Sequence, residues 1–200
     1  SPHKRAVVMP FKNLFNSKYK YEHLTFIELE QRINQFSHRL VSLGIKRGDR
    51  VLLFVKPSVD FSAYTFALFK IGAVPVMIDP GMGVKSFLNA VKQVRAKALL
   101  GIPKAHLLSR IFYKYFTSIE IRLNTSKVAV FSKSMTLKID DELSLYESEI
   151  MNPKDTAAIL FTSGGTGIPK GVVYTHLFQP STSFQYENRL TLKQQNLLCQ

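Results

Sequence analysis

From Thr25 to Phe131 amphipathic stretches alternate with short apolar runs, and that alternation restricts the chain to a small set of folds. Leu29, Ile33, Phe36, Leu40 and Leu43 recur at intervals of four, three, four and three, the spacing of one helix face. Thr25 followed three positions later by Glu28 forms a capping box, and Gly44 supplies a left-handed stop. Lys46-Arg47-Gly48-Asp49 then turns the chain into Val51-Leu52-Leu53-Phe54-Val55, which reads as a buried strand. The pattern repeats as a helix from about Val59 to Ile71, a strand Val74 to Ile78, a helix near Val84 to Val94 and a strand Ala98 to Ile102. A further helix is expected from Ala105 to Phe116 and a further strand from Val128 to Phe131. Pro57, Gly72, Pro75, Asp79-Pro80-Gly81 and Pro103 fall at or near the joins, where fixed or left-handed backbone angles are wanted.

Strands alternating with helices predict an α/β fold with a parallel sheet and right-handed crossovers. The layer is Rossmann-like, but it lacks the G-x-G-x-x-G fingerprint of dinucleotide sites. Between Ser132 and Asp155 the pattern loosens. The chain is therefore read as a Rossmann-like α/β subdomain over 1–131, a connector over 132–155 and the start of a second subdomain over 156–200. Asp140-Asp141-Glu142 lies in the connector and reads as a solvated turn, because adjacent carboxylates seldom converge on a metal without partners from elsewhere. His106 reads as a helix-surface histidine.

The strongest chemical signal is Thr162-Ser163-Gly164-Gly165-Thr166-Gly167-Ile168-Pro169-Lys170-Gly171. Closely spaced glycines let backbone N–H groups turn toward one point, three hydroxyls add donors, and Lys170 adds a positive charge. Such a cup suits a polyphosphate. It is not the loop G-x-x-x-x-G-K-S/T that runs into a helix, because Pro169 stands where that pattern needs glycine and Gly171 where it needs a hydroxyl. Apolar Ala157 to Phe161 before the loop and Val172-Val173-Tyr174 after it predict strand-loop-strand, a phosphate-loop hairpin. The bland alternative is a Gly/Thr-rich hairpin turn that binds nothing.

Composition narrows the remaining classes. Hydrophobic residues make up 46% of the 200 and charged residues 20%, which argues for a globular fold over wholesale disorder. The net charge is +13, with most of the excess in the first hundred residues, and it favours anionic company. No Arg-rich tract or nucleic-acid motif accompanies it, so no specific nucleic-acid partner is expected. Peripheral contact with an anionic membrane is compatible with the charge. No apolar run approaches the eighteen residues or so that span a bilayer. The single cysteine, Cys199, leaves no intrachain disulfide and fits a reducing, cytoplasmic setting.

The stretch "FTSGGTGIPKGVVYTH" resembles the signature loop of the adenylate-forming superfamily of acyl-CoA synthetases, luciferases and peptide synthetases, whose pattern is T-S-G-S/T-T-G-x-P-K-G. "LTFIELEQRINQFSHRLVSLGIKRGDRVLL" and "AYTFALFKIGAVPVMIDPG" resemble the opening of the same superfamily, and the likeness runs from about His23 to His176. Ile78-Asp79-Pro80-Gly81-Met82-Gly83 and Gly101-Ile102-Pro103-Lys104-Ala105-His106-Leu107 look most like the olefin β-lactone synthetase branch and its fatty-acid–CoA ligase neighbours.

The resemblance implies an ATP-dependent ligase that activates a fatty acid or β-hydroxy fatty acid as acyl-AMP with release of pyrophosphate. Thr162, Ser163, Gly164, Gly165, Thr166 and Gly167 would wrap the β- and γ-phosphates, with Thr162 also near magnesium and Lys170 neutralising phosphate charge. One such pair about 4 Å apart has a gross attraction of roughly 4 kcal/mol at an effective dielectric near 20. ATP and magnesium are the implied cofactors, coenzyme A a candidate acceptor, and a fatty-acid-type carboxylate the implied partner. Gly165 departs from the pattern and removes a hydroxyl whose hydrogen bond to phosphate would be worth roughly 1.5–3 kcal/mol. His176 receives no catalytic role. The superfamily's adenine, ribose and catalytic-lysine motifs lie beyond the phosphate loop. The chain therefore reads as an incomplete N-terminal domain, expected neither to release pyrophosphate nor to make acyl-CoA alone, and strands such as 157–161 are expected to need sheet partners from later sequence, which would leave an exposed edge. The competing reading is a non-catalytic nucleotide- or anion-binding module with a basic surface. Oligomeric state is not written in these residues.

Overall fold

In a computed structural model, residues 1–12, 19–125, 133–135, 144–162 and 170–176 are described. The chain opens with an antiparallel hairpin, β1 (Arg5–Lys12) and β2 (Tyr19–Thr25), which the helix-strand pattern did not foretell. Its Ala6, Val7 and Met9 pack on the core below, and Leu24 is buried there.

α1 (Phe26–Ser42) begins as expected: Glu28 N–H donates to Thr25 Oγ1 at 3.3 Å, and Thr25 N–H donates to Glu28 Oε2 at 2.7 Å. Leu29, Ile33, Phe36 and Leu40 form its buried stripe. Gly44, at φ +100°, ends it in a conformation that disfavours a side chain. Next come β3 (Arg50–Phe54), α2 (Val59–Lys70), β4 (Val74–Ile78), α3 (Val84–Val94), β5 (Ala98–Gly101) and α4 (Pro103–Ile111). They are followed by β6 (Ile121–Asn124), β7 (Lys133–Ser134), β8 (Thr156–Thr162) and β9 (Lys170–Thr175).

Among the described residues seven strands make one sheet in the order β7-β6-β5-β3-β4-β8-β9, parallel except for the antiparallel β8–β9 pair. Successive residues of a strand face opposite sides, and β3 shows this directly. Val51 and Leu53 join a core with Phe36, Leu40, Ala63, Leu68 and Leu100, whereas Leu52 joins a second core with Val76, Leu88, Val91, Leu99 and Phe116. Helices α1 and α2 thus cover one face and α3 the other, which is the expected α/β layer. Pro75 is tolerated in central β4 because Val74 N–H already bonds Asp49 O on the β3 side, while pairing with β8 starts only at Val76.

Several expectations change. β8 has a partner on each side: Val76, Met77 and Ile78 pair with Ile159, Leu160 and Phe161 on one side, and β9 lies on the other. The helix expected over Ala105 to Phe116 starts earlier, with Pro103 in its first turn, and ends at Ile111. Phe112 leaves helical angles and a short 3-10 turn, Tyr113–Tyr115, follows, so that Phe112, Tyr115 and Phe116 all meet the second core. His106 is buried at 6% exposure rather than on the surface, and its Nε2–H donates to the Leu123 carbonyl at 3.0 Å. The strand expected at Val128 to Phe131 and the cluster Asp140-Asp141-Glu142 lie outside the described residues. The stretch 144–155 runs over α1 and the end of α2, with Tyr146 N–H on Asn34 Oδ1, Glu149 N–H on Lys70 O and Arg47 bonded to Asp155 at 2.9 Å.

Candidate phosphate-binding site

The sheet brings the two ends of the glycine-rich segment face to face. β8 arrives at Thr162 and β9 departs from Lys170, and these two residues are direct antiparallel partners. Directly opposed residues project to the same side of a sheet, so the Thr162 hydroxyl and the Lys170 ammonium share one face at the strand ends. Both are exposed. The remaining residues assigned from sequence, Ser163, Gly164, Gly165, Thr166 and Gly167, lie outside the described residues. The structure therefore unites the first and last members of the set, as strand-loop-strand predicts.

The next pair inward explains why the register holds. Phe161, at 4% exposure, lies in the second core with Ile78, Leu88 and Ile159. Its cross-strand partner is Gly171, and a Cβ there would stand 2.8 Å from the ring Cζ. Only a residue without a side chain lets that ring lie against the backbone of β9. Sequence reasoning read Gly171 as the last position of the signature and as a mismatch to another loop pattern, and Phe161 as a strand residue, without joining the two.

Parallel pairing adds a neighbour the sequence had placed in a generic turn. Asp79 N–H, at the end of β4, donates to Phe161 O at 3.2 Å, which sets the Asp79–Gly83 turn beside Thr162. The Asp79 carboxylate accepts from Gly81 N–H at 2.8 Å and shapes that turn. Among the described residues no cluster of three or more His, Cys, Asp or Glu side chains could hold a metal. The donor set at the strand ends, one hydroxyl and one ammonium, fits the oxygens of a polyphosphate, with Thr162 the group available to a phosphate-bound magnesium.

At the far end of β9, His176 N–H bonds Asp155 O at 3.1 Å and its ring meets Phe69 edge-on. It stands six positions after Lys170 along the strand, a span of about 20 Å.

The AMP-binding enzyme family model matches residues 1–198. The chain belongs to the AMP-binding enzyme family. An olefin beta-lactone synthetase of Stenotrophomonas maltophilia is 36% identical over 156 residues, which cover 76% of this chain and 28% of that protein. A crotonobetaine/carnitine–CoA ligase of Salmonella arizonae is 31% identical over 167 residues, covering 78% and 31%. The anthranilate CoA ligase AuaEII, solved in complex with anthranoyl-AMP, superposes with a TM-score of 0.66 at 21% identity, over 78% of this chain and 30% of that one. The likeness to that structure is one of fold. This AMP-binding chain thus spans roughly three-tenths of the length of its relatives. No helix among its described residues is long and apolar enough to cross a membrane.

Proposed function

We propose that this chain supplies the phosphate-holding part of an ATP-dependent acyl-adenylate-forming ligase, with residues 162–170 wrapped around the β- and γ-phosphates. The observation that carries the reading is the direct pairing of Thr162 with Lys170 at the mouth of the signature segment. ATP supplies an activated α-phosphorus, whose attack by a carboxylate oxygen gives acyl-AMP and releases pyrophosphate. The chain's own part is positional. Lys170 offsets negative charge on the departing phosphates, and the Thr162 hydroxyl reaches a phosphate oxygen or its magnesium. The Ser163–Gly167 backbone supplies further donors.

By likeness to the olefin beta-lactone synthetase, the substrate is a fatty or β-hydroxy fatty carboxylate. The CoA ligase relatives support coenzyme A as an alternative acceptor to closure as a β-lactone. The same reading treats 132–155 as a connector and 156–200 as the opening of a second subdomain, although β8 is hydrogen-bonded into the sheet of the first. The single cysteine supports a cytoplasmic setting.

The net charge of +13 favours a second reading, a basic surface that holds anions without chemistry. Isothermal titration with ATP and with inorganic pyrophosphate separates the two. Site binding saturates, needs Lys170 and survives added salt better than surface binding. Salt-labile, unsaturable uptake indifferent to Lys170→Ala supports the second reading.

A further inference from the structure

Asp79 stands in line with the two ends of the phosphate segment. The ladder between β4 and β8 continues one step past Ile78 and Phe161, because Asp79 N–H donates to Phe161 O at 3.2 Å, the bond that sets Asp79 beside Thr162 in a parallel pair. Thr162 in turn opposes Lys170 on β9. Ile78 and Phe161 both enter the second core, so the residues that follow them project to the opposite face. Asp79 keeps the extended backbone this alternation needs, at φ −66° and ψ 116°. A carboxylate, a hydroxyl and an ammonium thus form one row across three neighbouring strands, which lie about 4.8 Å apart.

The carboxylate is exposed, and its Oδ1 is held by the hydrogen bond from Gly81 N–H at 2.8 Å. Lys170 does not neutralise it, for among the described residues no ion pair joins the two. A bare carboxylate would repel phosphates held at Thr162 and Lys170. A divalent cation between them reverses the sign, and magnesium commonly takes one or two carboxylates together with substrate phosphates and several waters. One carboxylate is therefore enough, without a cluster of acidic side chains. We propose that Asp79 makes this site select a nucleoside polyphosphate that carries a divalent cation, its carboxylate meeting the ion or one of the ion's waters while Lys170 offsets phosphate charge at the other end of the row. The inference rests on residues 162–170 holding those phosphates. Turn formation alone needs no charge at this position, since asparagine closes the same side-chain turn.

The test is isothermal titration of the full chain with ATP, once in excess magnesium and once in EDTA. The wild type is expected to bind magnesium-ATP at least about tenfold more tightly than metal-free ATP, the scale of one charged contact. Asp79→Asn keeps the acceptor for Gly81 N–H and removes the charge. It should weaken magnesium-ATP about tenfold or more and leave metal-free ATP as tight or tighter. Asp79→Glu keeps the charge and should retain part of the preference. Glu120→Gln removes an exposed carboxylate just before β6, at the opposite end of the sheet, and should change neither affinity. Circular dichroism and the urea midpoint check that each variant keeps the fold.

Equal weakening of both forms of ATP by Asp79→Asn would make Asp79 a prop of its turn and overturn the proposal. So would a preference lost as fully in Asp79→Glu as in Asp79→Asn, or lost in Glu120→Gln as well. A magnesium preference intact in Asp79→Asn, with ATP binding that still needs Lys170, would remove the role of Asp79 and leave the phosphate reading standing. A wild type that binds no ATP would remove both.

Discussion

The ring of Phe161 lies directly against the backbone of Gly171, so closely that a Cβ at 171 would be 2.8 Å from Cζ and 3.0 Å from Cε1. The contact sits one residue pair inside Thr162 and Lys170 and fixes how the signature segment leaves the sheet. Gly171→Ala should destabilise the chain by about 1–3 kcal/mol, as overpacking of a buried site does. Urea unfolding measures the loss. Phe161→Leu makes room, so the double variant should recover part of it, and strictly additive losses would contradict the contact.

Gly44 gives a second prediction, at the other end of the fold. Its φ of +100° lies where side chains are strained, and a Cβ would also come 3.4 Å from Ile121 Cδ1. Gly44→Ala should cost about 1–2 kcal/mol in thermal or urea unfolding. A neutral or stabilising effect would mean that the α1 stop does not depend on left-handed backbone.

His106 predicts a pH dependence. Burial lowers its pKa below the ordinary imidazole value, the hydrogen bond to Leu123 O opposes that shift, and nearby Arg122 adds to it. The unfolded chain then takes up the extra proton first. Stability from this group is complete above the unfolded pKa near 6.5 and is lost as pH falls from there toward the lower folded value. Its slope cannot exceed about 1.4 kcal/mol per pH unit. Urea unfolding across that window should show the wild type losing stability relative to His106→Gln. Parallel curves for the two proteins would count against the assignment.

The helices and inner strands were legible because their signals are local. The Leu29-Ile33-Phe36-Leu40 stripe, the Thr25–Glu28 box and the run at Val51 each announce themselves within a few residues. What stayed hidden depends on distance along the chain. Nothing near Ile159 says that it will pair with β4 some eighty residues earlier, so β8 was expected to need partners from later sequence and Asp79 was not placed beside it. His106 looked like surface because the helix pattern around it is mixed, and it is β6, unrecognised in sequence, that covers it through Leu123. The hairpin β1–β2 escaped because its strands carry exposed Tyr19, Lys20, Tyr21 and Glu22 rather than a clean alternation. At the site, Thr162 and Lys170 were readable from the motif, but the Phe161–Gly171 contact that aligns them belongs to the register and not to the motif.

The proposed phosphate site is tested most directly by the thermal unfolding midpoint of the chain with and without magnesium and ATP, for wild type and Lys170→Ala. A ligand that binds only the folded chain raises stability by about 2.7 kcal/mol at a hundred times its dissociation constant. The wild type should show a saturable rise in midpoint, and Lys170→Ala should show it only at roughly 10- to 150-fold higher ATP, as loss of one charged hydrogen bond implies. No rise in the wild type at saturating ATP, or an equal rise in Lys170→Ala, would contradict the assignment of residues 162–170 as the holder of the ATP phosphates.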